Sequence, residues 1–164
     1  MLKDFVLKAT DKTPYINFNV NSGLMQIHGY SLPENSFEFY TPIIEWLDNY
    51  IENPNKKTDF DFKLVVINTS SSKMFIDIFR KINQLVDQNN SKVSVVWYYE
   101  TDDEDIHEMA LQYKEFSKAE FRLIGTDYSL FEWNYIHFEN VSQLNRIRVF
   151  RPVFLSAVTN VKNN

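Results

Sequence analysis

Phe60-Asp61-Phe62-Lys63-Leu64-Val65-Val66-Ile67, followed by Asn68-Thr69-Ser70-Ser71-Ser72, is the stretch that decides the fold. It alternates apolar and charged residues and then turns continuously apolar, the pattern of a strand buried on both faces in the middle of a sheet. The hydroxyl run stops it. Beyond, Phe75, Ile78, Phe79, Ile82, Leu85 and Val86 recur at three- and four-residue spacing while Lys73, Asp77, Lys81 and Gln84 take the other side. An amphipathic helix therefore follows, and Asn89-Asn90 ends it. Residues 93–99 read as a second buried strand, and a strand–helix–strand crossover makes the pair parallel.

Working outward, Ile16, Phe18 and Val20 alternate with polar residues, and Asn21-Ser22-Gly23 is a turn into a second alternating segment over 24–30. This predicts an antiparallel hairpin in which His28 is a hydrogen-bonded sheet residue. Phe39, Ile43, Trp46, Leu47, Tyr50 and Ile51 trace another helix, closed by Pro54. Pro42 either opens that helix with Thr41 as its cap or sits within a helix begun near Ser36. Downstream, Ile106, Met109, Ala110 and Tyr113 mark a third helix and residues 121–124 a last short strand. The class is α/β, a mixed sheet with an N-terminal antiparallel hairpin, parallel central strands and three main helices. Residues 1–125 form this domain; 126–164 carry aromatic and branched residues without a strong period and receive no assignment.

Composition removes several functions. The 164 residues contain no Cys and three Gly, with a net charge of −5. Gly23, Gly29 and Gly125 supply no phosphate-cradling loop. Without Cys, and with His28, His107 and His137 dispersed, there is no disulfide, thiolate zinc site or Cys nucleophile. The acidic balance without a Lys/Arg cluster speaks against nucleic acid. No apolar run approaches a membrane span, and no secretory signal opens the sequence, so a cytoplasmic location is the expectation.

Two segments could carry function. Asn68-Thr69-Ser70-Ser71-Ser72 lies at the carboxyl end of a strand and the start of a helix, where ligand and regulatory sites collect in open α/β sheets. Its Ser and Thr side chains can cap the helix, but one cap needs one hydroxyl; the excess suits an anion or phosphorylation site. Glu100-Thr101-Asp102-Asp103-Glu104-Asp105 ends the next parallel strand, at the same sheet edge. Asp102 or Thr101 would cap the third helix. The remaining acids suit a divalent ion or a docking surface for a basic partner. Of Tyr98 and Tyr99, alternation sends at least one into the core, and His107 is solvated.

The order Ser31-Leu32-Pro33-Glu34-Asn35, Glu38-Phe39-Tyr40, Trp46-Leu47, then Asn68-Thr69-Ser70-Ser71-Ser72-Lys73, then Trp97-Tyr98-Tyr99-Glu100 with its acidic run resembles the SiaC family of bacterial regulatory phosphoproteins, over nearly all of residues 5–125. The resemblance implies a fold similar to the STAS domain of anti-anti-sigma factors, without catalysis or cofactor. It implies that Thr69 is phosphorylated by a SiaB-like kinase and dephosphorylated by a SiaA-like, PP2C-type phosphatase; Asn68, Ser70 and Ser71 would support the local anion-binding geometry. It also implies that the unmodified form activates a SiaD-like diguanylate cyclase, raising cyclic di-GMP and promoting biofilm. Glu100, Asp102, Asp103, Glu104 and Asp105 would lie at or beside the partner surface. The alternatives are a metal-dependent enzyme using Asp102, Asp103 and Asp105, or a constitutive binding module in which Thr69 only caps a helix.

Overall fold

The computed structural model describes residues 1–127. Six strands form one sheet in chain order: β1 (Phe5–Leu7), β2 (Tyr15–Phe18), β3 (Leu24–Ser31), β4 (Lys57–Ile67), β5 (Lys92–Glu100) and β6 (Glu120–Thr126). β1, β2 and β3 pair antiparallel, and β3 through β6 pair parallel. The three parallel connections are α1 (Ser36–Glu52), α2 (Thr69–Gln88) and α3 (Glu104–Phe116). Because each right-handed crossover advances one strand in the same direction, all three helices fall on one face of the sheet. α2 accordingly touches both α1 and α3.

The mixed α/β architecture expected from the sequence is present, with one addition. β1 carries three residues, too few for a periodic signal, and is held by pairing with β2 and by the Trp46 indole N–H, which donates to the Lys3 carbonyl at 2.8 Å. α1 begins at Ser36 with Asn35 as cap, so Pro42 lies inside it and Thr41 is not the cap. The last strand runs from Glu120 to Thr126. The extension assigned to 126–164, with His137, lies outside the described residues from 128 onward.

The helix-side face of the sheet is aromatic. Phe62 and Trp97 pack on Phe75, with their own centroids 5.2 Å apart, Phe60 stacks on Phe62, and Phe79 stacks on Tyr113 at 4.9 Å. Burying one such side chain contributes about 1.5–3 kcal/mol. Gly23 makes the β2–β3 turn at φ +72, and a Cβ there would lie 2.2 Å from the Lys57 carbonyl oxygen, so only glycine fits.

β4 corrects one expectation. It is central, but its run of apolar residues is not buried on both faces: Val66 is 37% exposed while Lys63 is buried. The register explains the exposure of Val66. Gly29 pairs with Leu64 but Tyr30 pairs with Val66, so Val65 is an extra residue in a bulge, and the two-residue alternation changes phase there.

The opposite face is polar and cross-linked. His28 Nε2 lies 3.0 Å from Asp61, Lys63 is 3.5 Å from the same carboxylate and over the Tyr98 ring, and the Ser94 hydroxyl donates to Asp59 at 2.6 Å. His28 is thus the hydrogen-bonded sheet residue its place in the pattern implies. Burial alone would raise the Asp61 carboxyl. The His28 hydrogen bond, with the charges of His28 and Lys63, outweighs burial and holds it below the usual carboxylate range. A depressed acid contributes stability that is complete above its unfolded value, near 3.8, and is lost as pH falls through the folded value. Urea denaturation between pH 6 and pH 2 is therefore expected to show a fall in stability on the acid side that is shallower in Asp61→Asn. At neutral pH, Phe62→Ala is expected to lower unfolding free energy by about 3–5 kcal/mol in the same assay.

Candidate functional site

The candidate site is built where β4 hands over to α2. Asn68 is the N-cap: its side-chain oxygen accepts from the Ser71 amide at 2.8 Å and from the Ser70 hydroxyl at 3.0 Å. Its own amide donates to the Ser31 carbonyl at 3.0 Å, at the end of β3. The cap is therefore Asn68, and the hydroxyl residues 69–72 form the first turn of the helix instead of capping it.

Within that turn the four hydroxyls have different surroundings. Ser70 donates to Asn68 and lies 2.7 Å from the Ser36 hydroxyl. Ser71 is fully buried, 3.1 Å from Ser36, and its amide is already engaged by Asn68, so its hydroxyl is not presented with Thr69. Ser72 donates to the Thr69 carbonyl at 2.8 Å. Thr69 is exposed, and its hydroxyl has no hydrogen-bond partner among the described residues. Asn68 has the extended conformation usual for an N-cap, and Thr69 is the first helical residue.

The electrostatics suit an anion. The amides of Thr69 and Ser70 have no acceptor within the helix, and the first turn of α2 contains no acidic residue, so the positive pole of a twenty-residue helix is uncompensated there. Lys73 lies one turn on and is exposed. Beneath, the Tyr113 hydroxyl of α3 donates to the Ser72 carbonyl at 2.9 Å and Tyr40 of α1 lies 2.6 Å from the Ser31 hydroxyl. Burial raises both phenols far above their ordinary value, so they remain neutral anchors.

The acidic run lies at the same edge, as the parallel β4–β5 pairing requires. The third helix is capped by Asp103, which accepts from the Ile106 amide at 3.0 Å, and not by Asp102 or Thr101. Glu104 and Asp105 occupy its first turn, where they complement the dipole. Asp102, Glu104 and Asp105 are exposed and Glu100 is half-buried. Among the described residues no group of three His, Asp or Glu side chains could hold a metal ion. Trp97 enters the core, whereas Tyr98 and Tyr99 both stay half-buried. Tyr99 stacks on His107 at 4.5 Å, so that histidine is packed instead of solvated.

Comparison with known proteins shows the family of the chain. The sequence model of the family described as SiaC family regulatory phosphoprotein matches residues 7–126. The chain belongs to the SiaC family. A relative from Pseudomonas aeruginosa (strain UCBPP-PA14), itself an uncharacterised protein, is 28% identical over 126 residues, covering 77% of this chain and 99% of its own. The crystal structure of apo-SiaC from Pseudomonas aeruginosa is similar at TM-score 0.68 and 27% identity, over 74% of this chain and 98% of that one. SiaC in its complex with the diguanylate cyclase SiaD, where it is named the activator, gives TM-score 0.70 and 27% identity, over 75% of this chain and 100% of that one. The family is thus one of regulatory phosphoproteins, and no helix among the described residues is long and apolar enough to cross a membrane.

Asn68→Ala removes the acceptor of two hydrogen bonds and is expected to lower unfolding free energy by about 1–2 kcal/mol in urea denaturation. Thr69→Ala, at an exposed hydroxyl outside that network, should stay within about 0.5 kcal/mol of wild type.

Proposed function

We propose that the chain is a non-enzymatic, phosphorylation-switched regulatory protein whose modified residue is Thr69. One observation carries the reading: of the four hydroxyls in the run, Thr69 alone is exposed and without a hydrogen-bond partner among the described residues. Ser70 and Asn68 hold the turn beneath it, while Ser71 acts through its amide on the cap. The kinase is SiaB-like and the phosphatase SiaA-like, of the PP2C type. The unmodified form binds and activates a diguanylate cyclase of the SiaD type in the cytoplasm, raising cyclic di-GMP and favouring biofilm. The 27% identity to a SiaC that is solved with its cyclase supports that choice of partner.

The switch follows from charge. Phosphorylation adds about −1.5 to −2 charge and three acceptor oxygens. Within the domain, the amides of Thr69 and Ser70, the helix pole and Lys73 can accommodate them, so the fold persists. At the surface, the same charge adds to the field of Asp102, Glu104 and Asp105, which flank the partner surface together with Glu100 and Asp103. A partner seated over Thr69 must then desolvate a dianion beside acids, a penalty of several kcal/mol when unpaired. The enzyme alternative needs Asp102, Asp103 and Asp105 as ligands, and Asp103 is already engaged as the cap of α3.

Incubation with the kinase and ATP, read by intact mass, is expected to add one phosphate to wild type and none to Thr69→Ala; equal labelling of the two rejects Thr69. In a pull-down with the cyclase, Thr69→Glu should bind at least about tenfold more weakly than Thr69→Ala, the factor that 1.4 kcal/mol produces. Equal binding of the two identifies a constitutive module. Calorimetric titration with Mg²⁺ or Mn²⁺ at millimolar concentration is expected to give no heat of binding, and a saturating site would revive the enzyme reading.

A further inference from the structure

We infer that Ser36, on α1, is the residue that confines phosphorylation to Thr69 and withholds the neighbouring Ser70. The inference rests on the reading of Thr69 as the modified residue. Thr69 and Ser70 are both exposed, are adjacent, and differ by one methyl group, so exposure alone does not separate them. Hydrogen bonding does.

The directions of the bonds follow from the chemistry of the atoms. An Asn side-chain oxygen only accepts, so in the 3.0 Å contact the proton of Ser70 points at Asn68. In the 2.7 Å contact between Ser70 and Ser36 the proton must then come from Ser36. Having spent its single proton, Ser36 accepts in the 3.1 Å contact with Ser71. The relay runs from buried Ser71 through nearly buried Ser36 to Ser70 and ends on the cap residue, crossing from α2 to α1 and back. Ser70 thus has its proton committed to Asn68 and a lone pair committed to Ser36.

Phosphoryl transfer needs the proton released and the oxygen turned out to where the γ-phosphorus can reach it, since its second lone pair is available in either case. A hydroxyl oxygen lone pair forms the new bond to the γ-phosphorus of ATP, the bond from that phosphorus to the bridging oxygen breaks with its electron pair leaving on ADP, and the hydroxyl proton passes to a base on the kinase. Thr69 meets this requirement as it stands. Ser70 must break its bond to Asn68 to give up the proton, and its bond to Ser36, on another helix, to turn its oxygen toward a kinase. Ser36 is therefore a specificity-determining residue that acts through Ser70 and touches no substrate.

The test uses the full chain expressed in its own cells under phosphatase inhibition, as wild type, Ser36→Ala, Ser36→Thr, Thr69→Ala and the double variant Thr69→Ala/Ser36→Ala. Tandem mass spectrometry assigns phosphate to position 69 or 70. Ser36→Ala is expected to raise the ratio of phosphate at Ser70 to phosphate at Thr69 by roughly two- to tenfold, the factor released by one ordinary hydrogen bond. Ser36→Thr, which keeps the hydroxyl, should restore the wild-type ratio, and the double variant should carry more phosphate on Ser70 than Thr69→Ala alone. A folded Ser36→Ala chain with an unchanged ratio overturns the inference while leaving Thr69 as the site. If Ser36→Ala loses the native circular dichroism spectrum, Ser36→Cys, of similar size and with a weak donor, carries the same comparison. Wild-type chain with no phosphate on Thr69 overturns the underlying reading and this inference with it.

Discussion

The hydrogen bond from the Asn68 amide to the Ser31 carbonyl is the last rung of the β3–β4 pairing, and the geometry of the candidate site depends on it. One side of Asn68 belongs to the sheet and the other to the helix that it caps. The backbone is fixed by the neighbouring strand, and the side chain by Ser70 and Ser71. A capping residue held from both directions leaves the first turn of α2 little freedom, so the threonine that follows projects from a rigid base. Tyr113, reaching from α3 to the Ser72 carbonyl, adds a third support below. A surface hydroxyl on such a base can change its charge without the core repacking.

Charge is distributed unevenly along this edge. The two helices that begin at this edge after β4 and β5 differ at their starts: α3 has the cap Asp103 and Glu104 and Asp105 in its first turn, which neutralise its positive pole, whereas the first turn of α2 has no acid. Negative charge is therefore already present after β5 and absent after β4. Modification of Thr69 would fill the gap and convert an uneven edge into a uniformly anionic one. The opposite face of the sheet, where Asp61 is paired with His28 and Lys63, lies away from the helices and contributes to stability instead.

Much of this was legible in the sequence because it is local. The hairpin, the two central strands and all three helices announce themselves by period, and the resemblance drew attention to Thr69. What was hidden depends on partners distant along the chain. β1 has three residues and no pattern of its own. The bulge at Val65 arises from pairing with Gly29 and Tyr30, so the run from Leu64 to Ile67 could only be read as uniformly buried. The stacking of His107 on Tyr99 joins a helix to a strand. The inequality of the four hydroxyls was invisible for the same reason: the residue that separates Ser70 from Thr69 is Ser36, more than thirty positions away on another helix.

The bulge also sets the direction in which the chain leaves the sheet. In a pleated strand each successive residue points to the opposite side, so one extra residue at Val65 reverses the handing of everything between it and the helix. The spacing from Val65 to Asn68, counted to the residue, therefore decides which side of the strand each residue between them faces.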